Sequence, residues 1–319
     1  MDISNKKIYY SGVNALRLEW PADLSAHYGV LITFNEGEGN ANEVKYEVRV
    51  TRLKPGKTGQ PLFQIDRISD VFINEIPPDL IADKLAYELG KVFYPLVITV
   101  NQNGGFQSIY NHEEILKRWQ SVKKNVLDNF EGQLVEDYVC RMEKQLSNPD
   151  QITLAFVNND WFIHTFFKPV YKEYGPHHAT ESLYKFPIAR NFDVEGYLTQ
   201  EEISSETNHF GAIELVHNGI IKPLEDELFI TYRHTGDYVG NYFLHPKNRR
   251  ILSVVSDFSY RAQEESKVKI RITVIPENGF EFDHDFELDT NVKGLPVTEM
   301  VIIDGQSPRK GFWDRLLNK

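Results

Sequence analysis

Cys140 is the sole cysteine of this 319-residue chain, so no internal disulfide can staple the fold. It sits among Tyr138, Val139 and Met142 in a predicted helix and is expected to behave as a small buried hydrophobe, without the electropositive setting a nucleophilic thiol needs. Long apolar runs are missing too. No stretch approaches the roughly 20 residues of a membrane span, and the first ten residues lack the apolar core of a signal peptide. Together with the unpaired cysteine, this leads to the expectation of a soluble, cytoplasmic protein. No block of Lys or Arg interrupts a formal net charge of -11 and a pI near 5.4. Such a field repels polyanions, so nucleic acid is not an expected partner.

Reaction motifs are equally scarce. There is no GxSxG elbow for a serine nucleophile, and Gly104-Gly105 lies between strands without the helix start that a phosphate loop requires. The paired acids Glu113-Glu114, Glu201-Glu202 and Glu264-Glu265 fit solvated helix starts or turns better than a glycosidase dyad. His177-His178, beside Gly175-Pro176 and Glu181, is the best local candidate for a metal. It would need His209 or His217 to complete a site, and the simpler expectation is a solvated loop pair. In Asp283-His284-Asp285 a strand would turn the histidine away from both acids. No catalytic residue, metal or cofactor is assigned, and no enzyme mechanism is carried by these residues.

What the chain has in quantity is alternation. Val44, Tyr46, Val48 and Val50 are separated by Glu43, Lys45, Glu47 and Arg49; Val268, Ile270, Ile272 and Val274 by Lys267, Lys269, Arg271 and Thr273; and Phe280 to Leu288 alternates large apolar groups or His with acids. Period two means strands with one buried and one wet face, hence a large antiparallel sheet. A hairpin through Asn278-Gly279 is expected to set Lys269 and Arg271 against the acids of the last strand.

Helical spacing appears in two places. Pro77-Pro78-Asp79 opens a short helix ended by Gly90. From Asn111, an N-cap with Glu114 as its reciprocal partner, a stripe runs through Ile115, Trp119, Val122, Val126, Phe130, Leu134, Tyr138 and Met142, with Gly132 able to bend or divide it. Between them Gln102-Asn103-Gly104-Gly105 turns a hairpin from Leu96–Val100 to Phe106–Tyr110. The aromatic cluster Phe156, Trp161, Phe162, Phe166 and Phe167 follows, serving as core or as the lining of an apolar pocket. Three divisions are expected: residues 1-172, a β-meander with the helical segment; 173-303, antiparallel and β-rich; and 304-319, a polar spacer and a tail.

In that tail Phe312 and Leu316, and Trp313 and Leu317, are one helical turn apart among basic residues. So short a helix must dock to be ordered, on its own domain, on a partner protein or on an anionic membrane. Phe312, Trp313, Leu316 and Leu317 are taken as the partner-binding set.

The strand, Asn-Gly-Gly hairpin and Asn-His-Glu-Glu-Ile helix start within Phe93 to Trp119, and the Phe243-Leu244, His245-Pro246-Lys247-Asn248, Arg250-Ile251-Leu252 run within Tyr238 to Val255, resemble segments of uncharacterised β-rich bacterial domains often found as exported lipoproteins. The resemblance implies a curved antiparallel sheet cradling helices and implies no activity.

The expected fold is therefore α+β: a large, curved, predominantly antiparallel sheet with amphipathic helices packed on it, the segment from Asn111 to Leu146 foremost. The expected function is that of a non-enzymatic interaction module, an adaptor or accessory subunit of a bacterial assembly docking through its tail, with homo-oligomers allowed. The alternative is a carrier of an apolar small molecule or lipid cradled between sheet and helices.

Overall fold

Strict alternation of apolar and charged residues gives most strands one dry face, and the dry faces join edge to edge. The computed structural model describes residues 6–36, 41–56, 59–188, 194–223, 234–262 and 264–276. The strands are β1 Ser25–Glu36, β2 Asn42–Leu53, β3 Leu62–Arg67, β4 Phe72–Ile73, β5 Leu96–Val100, β6 Phe106–Ile109, β7 Ala179–Tyr184, β8 Val194–Ile203, β9 Ile213–Pro223, β10 Asp237–Leu244, β11 Ile251–Arg261 and β12 Glu265–Ile275. They form one 12-stranded antiparallel sheet in the order β6-β5-β3-β2-β1-β12-β11-β10-β9-β8-β7, with β4 paired to β2. The sheet is open, and the mostly β architecture with helices on it is the α+β class expected. Two meanders meet at its centre, where Val30 lies opposite Ile272 and Ile32 opposite Ile270. Val44, Val48 and Val50 are buried on the same side as Val268, Ile270 and Ile272, and the apolar core runs continuously beneath both meanders.

Both edges of β12 are occupied, by β1 and β11. The expected hairpin partner of β12 is thereby corrected: Lys269 lies between Thr33 and Asp257, and Arg271 between Leu31 and Val255. The segment Phe280 to Leu288, its Asp283, His284 and Asp285, and the tail residues Phe312, Trp313, Leu316 and Leu317 lie outside the described residues.

The helices are α1 Ile81–Gly90, α2 His112–Asn129, α3 Gln133–Leu146, α4 Pro149–Asn159 and α5 Trp161–Phe166, with a 3-10 turn, Lys91–Phe93, after α1. The stripe expected to continue from Asn111 to Leu146 breaks into α2 and α3 at Gly132, whose φ of +110° favours glycine. Asn111 stands at the N-cap of α2, yet its side chain makes no cap bond. Its amide instead accepts from the Val97 N–H at 2.9 Å and donates to the Pro95 carbonyl at 2.9 Å, tying the helix start to β5. Ile115, Trp119, Val126, Tyr138 and Met142 are buried as the stripe requires, whereas Leu134 is exposed. Cys140 is exposed as well, correcting its expected burial: it lies two residues past Tyr138, about 200° around the helix from that buried face.

The helices cover the inner face of the sheet as expected, and Ile115, Trp119, Val126, Tyr138 and Met142 of the α2–α3 segment share one apolar core with the strands. The short helix α5 lies against β11 and β12, α4 packs on β6, α2 packs on α1 and on α3, and α3 packs on α4. Asn148 begins this layer by accepting from the Asp150 N–H at 2.9 Å ahead of Pro149. Asp160 then caps α5, accepting from the Ile163 N–H at 2.8 Å. The turn between α4 and α5 that Asp160 makes brings Phe156, Trp161 and Phe162 onto the sheet.

Candidate functional site

Two places gather polar side chains on the inner face of the sheet. One is centred on a buried carboxylate and the other borders a cleft.

The space is a cleft over the N-terminal meander. Its floor is Ile32, Val44, Tyr46 and Arg67 from β1 to β3; its walls are Ala86 and Gly90 of α1, Met142 and Gln145 of α3, and the junction of α4 with α5 at Phe156, Asp160, Trp161 and Phe162. Counted out to its open mouth the empty volume is about 860 Å³. Most of its wall is apolar.

Its polar corner is organised around Arg67. The guanidinium carbon lies 4.4 Å from the ring centre of Tyr94 and 5.3 Å from that of Tyr46, and Nη2 donates to the Tyr94 hydroxyl at 3.0 Å. Two aromatic rings this close to a guanidinium attract it electrostatically. The carboxyl of Asp160 completes the corner. Burial pushes its pKa up, against the capping Ile163 N–H and the Arg67 charge, which hold it down.

The second place is built on a buried carboxylate. Glu201, on the inner face of β8, has no solvent exposure. Its Oε1 pairs with Lys168 and accepts from the Ser182 hydroxyl at 2.6 Å, and its Oε2 pairs with Lys172. The Lys168 ammonium lies 4.8 Å from the ring centre of Tyr184. His217, on β9, is buried against Tyr242 with ring centres 4.9 Å apart and shares a 3.2 Å hydrogen bond with the Tyr238 hydroxyl. Burial lowers the Lys168 pKa and Glu201 draws it back, leaving it at about 8. Burial also pushes Glu201 up, but the neighbouring charges, Lys168 first, outweigh this and hold it down to about 2. His217 is driven well below the usual imidazole value by burial and then by Lys168. Two lysines on one carboxylate make a structural knot between the α5–β7 connection and the sheet.

This knot corrects the expectation for Glu201-Glu202 as a solvated pair. Glu202 is exposed, and Glu201 points inward with Tyr197, Thr199 and Ile203. Strand β8 escapes detection by period because Thr199 and Glu201 interrupt its apolar face. The one signal in the chain is a lysine, Lys168, inside the apolar run Phe166 to Tyr171.

The remaining candidates are dispersed. His177 is exposed, His178 is half-buried with its ring 6.2 Å from that of Tyr10, Glu181 is exposed on β7, His209 is exposed in a turn, and His217 belongs to the knot. Among the described residues no group of three or more His, Cys, Asp or Glu side chains is placed to hold a metal ion. The aromatic cluster divides: Phe156, Trp161 and Phe162 line the cleft, while Phe166 and Phe167 pack with Trp20 and Phe63 around a much smaller void.

No family model matches the chain, and no curated protein matches it. Among solved structures, a chain described as lipid-protein interactions in lipovitellin aligns at 10% identity with a TM-score of 0.45, over 81% of this chain and 26% of that one. This chain spans about a quarter of the length of that structure, and at this level the two share a remote likeness alone. Among the described residues no helix is long and apolar enough to cross a membrane.

Proposed function

We propose that this protein binds an apolar small molecule in the cleft between β1–β3 and the helices α1, α3, α4 and α5. The observation that carries this reading is the cleft itself: a mostly apolar space with one organised polar corner, set in the apolar core beneath the sheet. Protein interiors are close-packed, so retained space of this shape calls for an occupant or for a functional reason. Native mass spectrometry of freshly purified protein tests it directly, the expected result being a co-purifying small-molecule mass. Ala155→Leu, which extends a side chain from α4 into the cleft, is expected to abolish that mass and the binding of an environment-sensitive apolar dye. A clean apo mass together with no dye binding would overturn the reading.

Docking of a partner protein through Phe312, Trp313, Leu316 and Leu317 is a separate proposal. It is supported by the one-turn spacing of those four residues and by basic neighbours on an acidic chain. Deletion of residues 312–319 is expected to leave the melting temperature unchanged and to abolish partner retention in pull-downs; unchanged retention would overturn it.

A further inference from the structure

We infer that two copies of this protein associate through β7, edge to edge and antiparallel about a twofold axis at Leu183, so that the outer face of one sheet continues into that of the other. This surface lies on the side of the sheet away from the helices and is independent of the cleft.

Three observations carry it. The first is the edge. Strand β7 pairs with β8 on one side and is the last strand of the sheet among the described residues. A strand so placed presents backbone donors and acceptors that another strand can complete.

The second is the surface beside that edge. On the outer face Leu183 stands opposite Leu198, and Leu198 opposite Ile220. These side chains are 42%, 43% and 61% exposed, and Val239 of β10, diagonal to Ile220, is 45% exposed. Over the centre of the sheet the same face is polar, with Asp257, Lys269, Thr33 and Glu43 in one cross-strand row. The apolar row is therefore local to β7, β8 and β9 and runs out to the edge.

The third is register, which names the occupant. Opposed residues of an antiparallel pair share a face, so pairing β7 with itself while keeping both outer faces together allows few alignments. Centring on Glu181 sets two like charges against each other, and centring on Ser182 sets each Leu183 against a Glu181. Centring on Leu183 sets Leu183 on its own copy and Glu181 opposite Lys185 of the second copy. Lys185 directly follows β7 and is exposed between the buried Tyr184 and Phe186, so it shares the side of Leu183 and Glu181. In this register Ile220, Leu198 and Leu183 of both copies form one apolar row across six strands, flanked by two Glu181–Lys185 pairs. The contact is isologous, as a closed dimer requires. A joint built on one strand of 6 residues is small, so the association is concentration-dependent.

Sedimentation velocity at low ionic strength, from about 1 to 200 μM, reads the inference. The wild-type protein is expected to move from 37.0 kDa toward twice that mass as concentration rises. Leu183→Glu sets like charges face to face on the axis; it should melt as the wild type does and stay monomeric. Glu181→Lys and Lys185→Glu should each weaken association about tenfold, because each places two like-charged pairs across the joint. Combined in one chain, the two exchanges restore opposite charges across the axis and should return association to near the wild-type level. A wild-type protein that is monomeric throughout, a Leu183→Glu protein that still dimerises, or charge exchanges that fail to rescue each other would overturn the inference.

Discussion

The knot at Glu201 and the corner at Arg67 are made from similar parts, carboxylate, cation and tyrosine rings, under the same sheet. At the knot two lysines and a serine converge on one carboxylate with no solvent exposure, and Tyr184 lies against Lys168. At the corner a guanidinium and a carboxyl border a void with an open mouth. The difference teaches that perturbed ionisation does not by itself mark a site. Large shifts occur at the knot as well as at the corner, because a buried ion pair must be mutually satisfied to exist at all. Space beside an organised charge is the better guide to binding.

The largest test of this contrast is Glu201→Gln. It leaves Lys168 and Lys172 without their counter-charge, and is expected to cost roughly 3 to 5 kcal/mol of unfolding free energy in urea titration. Adding Lys168→Met to that variant should recover part of the loss by removing an uncompensated buried charge. A cost below about 1 kcal/mol would erase the distinction between knot and corner.

Acid provides a second test of the same group. Because Glu201 is held below its unfolded value of 4.5, down to about 2, the stability it contributes is complete above 4.5 and is lost as pH falls toward about 2. Wild-type protein should therefore lose stability across that window, and Glu201→Gln should show a flatter profile there.

Smaller effects belong to the corner. Asp160→Ala removes the cap of α5 and should cost about 1 kcal/mol, whereas Asp160→Asn, which can still cap, should cost only a few tenths. Smallest in stability is Ala155→Leu, within about 0.5 kcal/mol if the added carbons occupy existing space. If Ala155→Leu were instead as damaging as Glu201→Gln, the cleft would be as closed as the knot, and the comparison would fail.

Much of the architecture was legible from particular residues. Val44 to Val50 and Val268 to Val274 alternate cleanly because each strand has one solvated face, and both were assignable by period. The hairpin of β5 and β6 announced itself through Asn103-Gly104-Gly105. Strand β8 was not legible, since the residues that define its inner face include Thr199 and Glu201, polar groups whose burial depends on Lys168, about 30 residues away. The cleft was half legible: Phe156, Trp161 and Phe162 stood out as an aromatic cluster, but Arg67 and Tyr94 carried no pattern. Their partnership exists only because β3 runs beside the segment preceding β5.

By itself, then, the sequence determined the β-rich class, most strand positions and the amphipathic helices, all of which follow from short-range periodicity and turn chemistry. The tertiary structure alone decided that β12 pairs with β1 instead of a following hairpin strand, that α5 lies against β11 and β12, and that a buried glutamate gathers two lysines while an Arg-Asp set borders a cleft. The physical reason is range. Periodicity reports which side of an element is dry, whereas pairing partners, enclosed volume and charge compensation depend on residues distant in the chain, whose proximity no local pattern encodes.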